Sequence, residues 1–271
     1  MIRVSEHRFG EDTQLTNITI LISEVIEEDY GLHVWPCSIV LAEYIWQQKD
    51  RFKGVHVLEL GAGTGLPGIV AAKVGAHVIL TDLENNSKVF ENMSKNCEQN
   101  ALDCKILALT WGDWGSSMLD LNPDIVLGAD VLYSASDFDD LFATVAFLLQ
   151  KNPEAVFITA YEPRSGHRSI EFLMVKWKLQ SVKLLDAHEI LPPEKLSLIS
   201  RSIEIVEARR RNQIHVDNLD QPLDQHVTPH DVEEIVCEEQ EVLKEERGLP
   251  KWVQKTLQDS KLDAPLPQKA Q

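Results

Sequence analysis

Short apolar runs alternate with longer amphipathic segments along the first two hundred residues. The runs have the length of β-strands and lie at 55–60, 77–81, 105–109, 124–130 and 155–160. Between them, apolar residues recur at the spacing of one helix face, i, i+3, i+4 and i+7. Strands and helices that alternate in this way predict an α/β fold, with helices on both faces of a mostly parallel sheet.

Both ends of this pattern predict hairpins. Strand-like pieces at 8–9 and 18–22 predict an N-terminal β-hairpin, and two last runs at 182–185 and 203–206 predict a hairpin at one sheet edge. We therefore expect a doubly wound, mostly parallel, seven-stranded sheet with an N-terminal β-hairpin extension.

Local signals place the helices between these strands. Pro36 suits the first turn of a helix whose apolar residues follow at 37, 40, 41, 44 and 45. Ser136 is predicted as the N-cap of a helix with three aspartates in its first turn, and Pro153 ends that helix. Further helices are predicted after the glycines at 61–68, at 86–100 and at 168–177.

The composition changes near residue 210. Residues 211–271 hold 13 acidic and 7 basic residues with few large apolar ones, which predicts a mostly disordered acidic tail with one helix near 232–247. The expected organisation is therefore an N-terminal β extension at 1–30, a main domain at 31–210 and the tail at 211–271.

Three glycines at alternate positions, Gly61, Gly63 and Gly65, follow the first parallel strand. Glycines there let the backbone approach a ligand closely, with N–H groups exposed at the start of the next helix. The next strand ends in Asp82, where an acid is placed to accept hydrogen bonds from ribose hydroxyls. This β–turn–α–β unit predicts a site for a nucleoside-containing cofactor.

The phasing of the glycines separates two cofactor classes. Gly63-x-Gly65-x-x-Gly68 formally matches the dinucleotide fingerprint. The match begins two residues beyond the strand end, where the tight-turn glycine is Gly61. A nicotinamide-dependent oxidoreductase is therefore disfavoured.

Aromatic and acidic residues near the strand ends are further candidates. Spacing alone favours Trp35 as a core residue over one that lines a cofactor pocket. Trp111 and Trp114 lie in a Gly-containing loop, where a flat aromatic either covers an adenine ring or caps the loop onto the core. Asp130 follows the 124–129 run at the carboxyl edge, where open α/β sheets bind ligands, and Tyr133 follows three residues later.

Five motifs, in order, resemble those of methyltransferase family 16, class I S-adenosylmethionine-dependent enzymes that modify proteins. They are Trp35-Pro36, Glu59 to Gly65, Asp82, Thr110-Trp111-Gly112, and Gly128 to Tyr133, which matches the family's Asp-x-x-Tyr signature. The resemblance covers roughly residues 5–208. Segments beginning at 35, 109 and 137 look most like a family member described as a histone arginine methyltransferase.

The resemblance implies S-adenosylmethionine as the cofactor and assigns residues to it. Asp82 would hold the ribose, Trp111 would lie at the adenine, and the remaining contacts would come from Trp35, Gly61, Ala62, Gly63 and Ala129. Asp130 and Tyr133 would act at the methyl acceptor, where a carboxylate and a phenol can orient a cationic side chain and help remove its charge. Tyr161 and Glu162 are second-rank candidates at the same edge.

Charge and composition narrow the partners. A net charge of −17 argues against direct nucleic-acid binding and fits a basic protein partner, although solubility explains it equally well. No run of about 18 apolar residues or apolar signal core is present, so we expect an intracellular protein of cytoplasm and nucleus with no membrane contact. The four cysteines are scattered, which favours reduced thiols over a metal site. A monomer is expected.

The leading interpretation is a protein N-methyltransferase acting on arginine, preferably of a histone or another basic protein. Lysine is the first alternative, because the wider family with the Asp-x-x-Tyr signature points mostly to lysine. A small-molecule methyltransferase and a catalytically inactive protein that keeps the cofactor fold remain open.

Overall fold

The computed structural model describes residues 2–10, 17–25, 30–163 and 170–211, which belong to one unit, Met1–Asn212. The predicted acidic tail lies outside these residues. The strands are β1 Ile2–Phe9, β2 Ile18–Val25, β3 His56–Leu60, β4 His77–Asp82, β5 Lys105–Ala108, β6 Ile125–Ala129, β7 Val156–Tyr161, β8 Leu179–Asp186 and β9 Glu204–Arg210. The helices are α1 Pro36–Gln47, α2 Lys49–Phe52, α3 Leu66–Lys73, α4 Ser87–Gln99, α5 Ser116–Leu119, α6 Phe138–Lys151, α7 Ile170–Lys176 and α8 Ala187–Ile190, with 3₁₀ turns at Tyr30–Leu32 and Pro193–Leu198.

Seven strands form one sheet in the order β5-β4-β3-β6-β7-β9-β8. The first five in that order run parallel, and β9 pairs antiparallel with both β7 and β8. The predicted doubly wound, mostly parallel sheet with a terminal hairpin is confirmed. The order reverses between β3 and β6, so their carboxyl ends flank the crevice where such sheets bind ligands.

Alternate residues along the strands feed two hydrophobic cores. On β3, Val57 joins the core under α1, α3 and α4, whereas Leu58 and Leu60 join the core under α6 and α7. The period of two in a strand explains this division. Glu59 lies between Leu58 and Leu60, so its side chain points to the α3 face, where it is 1% exposed.

The predicted N-terminal hairpin is present, with β1 antiparallel to β2. Asparagines on one face of α4 and at its C-cap bind the backbone of β2. Asn96 Oδ1 accepts from Ser23 N at 2.8 Å, and Asn100 Oδ1 accepts from Leu21 N at 2.9 Å. Asn96 Nδ2 also donates to Thr64 O at 3.0 Å, so this helix links the hairpin to the glycine turn.

Some local predictions differ from the structure. The N-cap of α6 is Asp137 rather than Ser136, since the helix begins one residue later than predicted. Ser136 Oγ instead donates to Asp137 Oδ1 at 2.8 Å. The predicted start of α7 lies outside the described residues. Short helices α2, α5 and α8 were not predicted, since four residues are too few for a periodic pattern.

Candidate active site

The glycine turn after β3 depends on backbone conformations that favour glycine. Gly61, Gly63 and Gly65 have φ values of 58°, 54° and 80°, in the left-handed region. A Cβ placed on Gly61 would lie 3.0 Å from Trp111 Cζ2 and 3.1 Å from Val131 Cγ1. A larger side chain at Gly61 would therefore be disfavoured twice, by its positive φ and by the lack of space for the added atoms.

Glu59 anchors the helix that follows this turn. Its Oε2 accepts a hydrogen bond from Gly68 N at 2.8 Å. A Cβ on Gly68 would lie 2.5 Å from that oxygen and 2.3 Å from Leu80 Cδ2, so only glycine permits this approach. Burial raises the pKa of Glu59 to about 8, against the lowering effect of the Gly68 bond, and Asp82 adds to the increase.

Asp82 is held by the backbone on both sides. Its Oδ2 accepts from Gly63 N at 2.8 Å, and its Oδ1 accepts from Leu83 N at 2.8 Å. The carboxylate is thus fixed in orientation, as a residue that reads two ribose hydroxyls must be.

The expectation that the N–H groups of this turn are exposed is wrong for four of them. Those of Gly63 and Gly68 bind Asp82 and Glu59, and those of Ala62 and Gly65 bind Thr81 O and Ala62 O, each at 2.8 Å. A pyrophosphate needs such donors and is repelled by a carboxylate such as that of Asp82 beside them. The turn therefore lets a ligand approach the backbone closely and presents the Asp82 carboxylate as a hydrogen-bond acceptor, which fits a cofactor without phosphate.

The loop after β5 places Trp111 against the turn. Its indole packs partly buried against the α6 core, and its Cζ2 is the atom nearest to a Cβ built on Gly61. Gly112, with φ 74°, donates its N–H to Thr144 Oγ1 of α6 at 3.0 Å. Trp114 instead stacks edge-on against Phe147, with ring centroids 4.9 Å apart. Of the two interpretations for this loop, Trp114 fits the core cap.

Asp130 and Tyr133 follow β6 at the same edge. Asp130 has φ 56°, an uncommon conformation for a residue with a side chain, and its N–H donates to Ala160 O at 2.9 Å. The Tyr133 side chain is 51% exposed. Partial burial raises its pKa, and the negative charges of Asp137, Asp82 and Asp130 raise it further. The phenol is therefore protonated at neutral pH and can donate a hydrogen bond.

These elements enclose a cleft of about 740 Å³. All nine residues predicted for the site lie along it, namely Trp35, Gly61, Ala62, Gly63, Asp82, Trp111, Ala129, Asp130 and Tyr133. The sequence thus identified residues that the fold brings together, while their individual contacts with a ligand remain predictions.

Two expectations from local pattern are corrected. Trp35 is 38% exposed at the cleft, so the preference for a core residue is wrong. The helix stripe begins only after Pro36, and Trp35 therefore lies outside the buried face. Tyr161 and Glu162 are not among the described residues that line the cleft. Tyr161 is buried and its hydroxyl donates to Glu204 Oε2 at 2.6 Å, while Glu162 pairs with Arg201.

Sequence reasoning missed several lining residues. Gly31, His33 and Ser38 flank Trp35, and Asp137 and Asp140 lie at the start of α6. The dense acids before α6 were visible in the sequence, but they were interpreted as helix-capping charge. Four aspartates and no lysine or arginine occur among the described residues of the cleft, so its electrostatic character favours a cation.

A family model described as lysine methyltransferase matches residues 14–178. The chain belongs to this family, methyltransferase family 16. The predicted family is therefore confirmed, and the methyl donor of the family, S-adenosylmethionine, is the cofactor. A phosphate-free nucleoside cofactor agrees with the occupied N–H groups of the turn. The chain is thus an S-adenosylmethionine-dependent protein methyltransferase.

Relatives within and near this family fall into two groups by name. The histone-arginine methyltransferase METTL23 of Xenopus laevis is 44% identical over 175 residues, 64% of this chain and 74% of the relative. The human METTL23 is 41% identical over 155 residues, 56% of this chain and 82% of the relative. The mouse protein N-lysine methyltransferase METTL21A is 33% identical over 185 residues, 66% of this chain and 78% of the relative.

A solved structure supports the architecture independently. A T. thermophilus 16S rRNA methyltransferase, in complex with AdoMet and guanosine, superposes with a TM-score of 0.55 at 19% identity. The match covers 78% of this chain and 51% of that one. This likeness shows the fold alone. Among the described residues, no helix is both long and apolar enough to cross a membrane.

Proposed function

We propose that this protein methylates an arginine side chain of a histone or a similarly basic protein. The observation that carries the proposal is that Asp130 and Tyr133 line the same acidic cleft as Asp82. A cationic acceptor explains this charge better than a neutral phenol or an anionic acid does. The 40–44% identity to proteins named histone-arginine methyltransferases favours arginine.

Residues on one side of the cleft hold the cofactor in this proposal. Asp82 accepts hydrogen bonds from the ribose hydroxyls, and Trp111 lies at the adenine. Gly61, Ala62 and Gly63 permit the close backbone approach, while Trp35 and Ala129 complete the contacts. S-adenosylmethionine supplies an electrophilic methyl group when bound.

Residues on the other side act on the acceptor nitrogen. Asp130 orients the cationic side chain through a charge-assisted hydrogen bond and stabilises its charge. The acceptor nitrogen loses one proton for each methyl group it gains, and Asp130 is placed to receive that proton or pass it to water. Tyr133 donates or accepts a hydrogen bond that fixes the nitrogen for in-line attack.

Lysine is the second candidate acceptor. The family model is described as lysine methyltransferase, and relatives at 33–40% identity are named lysine methyltransferases. Lysine requires deprotonation before attack, for which a carboxylate beside a phenol suffices. The chemistry of the cleft therefore fits either acceptor.

The test is direct mapping of the methylated residue. The full chain is incubated with labelled S-adenosylmethionine and either purified histones or a cell extract, and the label is mapped by mass spectrometry. Methyl-arginine in a histone is expected. Methyl-lysine alone would exclude the arginine proposal, and label confined to small molecules would exclude a protein substrate.

The remaining proposals concern cellular context. We expect a monomer that works in cytoplasm and nucleus, recognises its protein partner by charge, and does not bind nucleic acid or membranes directly. The net charge of −17 supports a basic partner. Size-exclusion chromatography with light scattering, and microscopy of the tagged chain, test the oligomeric state and the location.

A further inference from the structure

Asp140 lies on the first turn of α6 and faces the cleft. The neighbouring Asp139 faces away from the cleft, and its carboxylate already binds other side chains. Asp139 Oδ1 forms an ion pair with Lys176 Nζ at 3.1 Å and accepts a hydrogen bond from Trp177 Nε1 at 3.3 Å. Lys176 is the last residue of α7, and Trp177 follows it. Two adjacent aspartates of one helical turn therefore have different surroundings, and only Asp140 lines the cleft.

The loop that carries Trp111 is built around Asp140. A Cβ on Gly112 would lie 2.7 Å from Asp140 Oδ1, so the glycine makes room for this carboxylate. The Gly112 N–H donates to Thr144 Oγ1, and that hydroxyl donates to the Asp140 carbonyl oxygen at 2.9 Å. The carboxylate of Asp140 is thus held directly beside the residue that follows Trp111.

Within the described part of the chain, no donor or basic side chain pairs with the Asp140 carboxylate. Partial burial raises its pKa, and the like charges of Asp137 and Asp139 raise it further. An ionised acceptor in such a place is stabilised by any ligand that offers it an N–H group. In the proposed function, adenine binds on the Trp111 side of the cleft. The exocyclic amino group of adenine donates hydrogen bonds and does not accept them, so it suits the Asp140 carboxylate.

We propose that Asp140 accepts a hydrogen bond from the exocyclic amino group of the cofactor's adenine and makes the cleft selective for adenine over a 6-oxopurine. The inference rests on the proposed function in one respect, the assignment of Trp111 to the adenine. The 6-oxopurine places a carbonyl oxygen where the amino group was, so two acceptors would face each other.

The experiment compares two ligands by calorimetry, S-adenosyl-L-homocysteine and S-inosyl-L-homocysteine, which differ at this position of the base. Asp140→Ala should weaken S-adenosyl-L-homocysteine binding about tenfold, the effect of a lost hydrogen bond to a charged group in an open cleft. Binding of the inosyl compound should change little or improve. The preference of the wild type for adenine should therefore shrink about tenfold.

Asp139→Ala is the matched control, since it removes the same charge from the same turn. It should keep the wild-type preference between the two ligands, with any loss confined to the melting temperature. Thermal melts of both variants verify folding. A general electrostatic effect would change the affinities for both ligands equally. The ratio of the two affinities therefore reports the specific hydrogen bond.

Two results would overturn the inference. The first is a folded Asp140→Ala protein that keeps the wild-type ratio of affinities for the two ligands. If that variant also raises KM for the protein substrate, Asp140 acts on the acceptor instead. A wild type that binds neither ligand would overturn the proposed cofactor site as well. The failure of the inference and of the proposed function are therefore distinguishable.

Discussion

The two sides of the cleft are built in different ways. On the side proposed to hold the cofactor, the turn Gly61–Gly65 and Asp82 are held by hydrogen bonds to each other and to the backbone. On the side proposed to bind the methyl acceptor, Asp130 and Tyr133 lie on a loop, with Tyr133 half exposed. The cofactor side is a shaped backbone surface, whereas the acceptor side presents functional groups to solvent.

This difference predicts how each side can be damaged. A surface made by close backbone approach fails when atoms are added, because the space is already filled. A site made by functional groups fails when those groups are removed, while its shape survives. Variants should therefore separate loss of cofactor binding from loss of methyl transfer.

The largest effect is expected for Gly61→Val. The new side chain adds backbone strain at φ 58° and meets Trp111 and Val131, and together these should weaken S-adenosyl-L-homocysteine binding by roughly 100-fold or more. Calorimetry measures the loss. Gly54→Val is the matched control, since Gly54 has φ 78° but no atom within 4 Å of its Cβ position. Normal affinity in a folded Gly61→Val protein would show that the turn has more room than the structure indicates.

The next effect concerns the acceptor side. Asp130→Asn and Tyr133→Phe should each lower kcat about 100-fold, at the low end for loss of a general acid or base, with cofactor affinity retained. Asparagine tolerates the left-handed backbone of Asp130, so the fold is preserved. Single-turnover assays measure the rate, and Asp120→Asn and Tyr161→Phe, outside the cleft, serve as controls. An equal loss of cofactor affinity would assign these residues to the cofactor side.

A smaller effect is expected for Asp82→Ala. Removal of the carboxylate eliminates the acceptor for ribose and leaves the N–H groups of Gly63 and Leu83 without their partner. The loss in binding free energy should be about 1.5–3 kcal/mol, typical of hydrogen bonds to a charged group. The exposed Asp103→Ala is the calorimetric control. Unchanged affinity in the folded variant would remove Asp82 from the ribose site.

The smallest effect is a pH dependence of the free energy of unfolding, which arises from Glu59 beneath the glycine turn. Because burial raises the pKa of Glu59 to about 8, the unfolded chain ionises at this position before the folded one. Stability contributed by Glu59 is complete below its ordinary pKa near 4.5 and is lost as the pH rises toward 8. Between pH 6.5 and 7.5 the wild type should lose about 1.2 kcal/mol relative to Glu59→Gln.

Denaturant melts at several pH values test this last expectation, because the neutral glutamine keeps an oxygen for the Gly68 N–H. The free energy of unfolding of the wild type should fall relative to that of Glu59→Gln as the pH rises. A constant difference would mean that Glu59 is ionised throughout this range in the folded protein. Asp103→Asn, at an exposed position, provides the reference for a surface carboxylate.

Much of the fold and of the site was predictable because the relevant signals are local. The β–turn–α–β unit is encoded by an apolar run, three glycines at alternate positions and a strand that ends in Asp82. Parallel strands end at one edge, so Asp82 and Asp130 had to meet there once the alternation of strands and helices was recognised. The resemblance to the family's motifs added the proposed roles of Trp35 and Trp111.

The sequence by itself therefore determined the α/β class, the sheet edge that carries the site and nine of the residues that line the cleft. Only the tertiary structure decided which N–H groups of the turn are taken by Glu59 and Asp82, that Trp35 is exposed, and that β9 inserts between β7 and β8. It alone placed Asp140 beside Gly112 while Asp139 turned to Lys176. These outcomes depend on contacts between residues distant in the chain, where local periodicity and propensity carry no information and packing makes the choice.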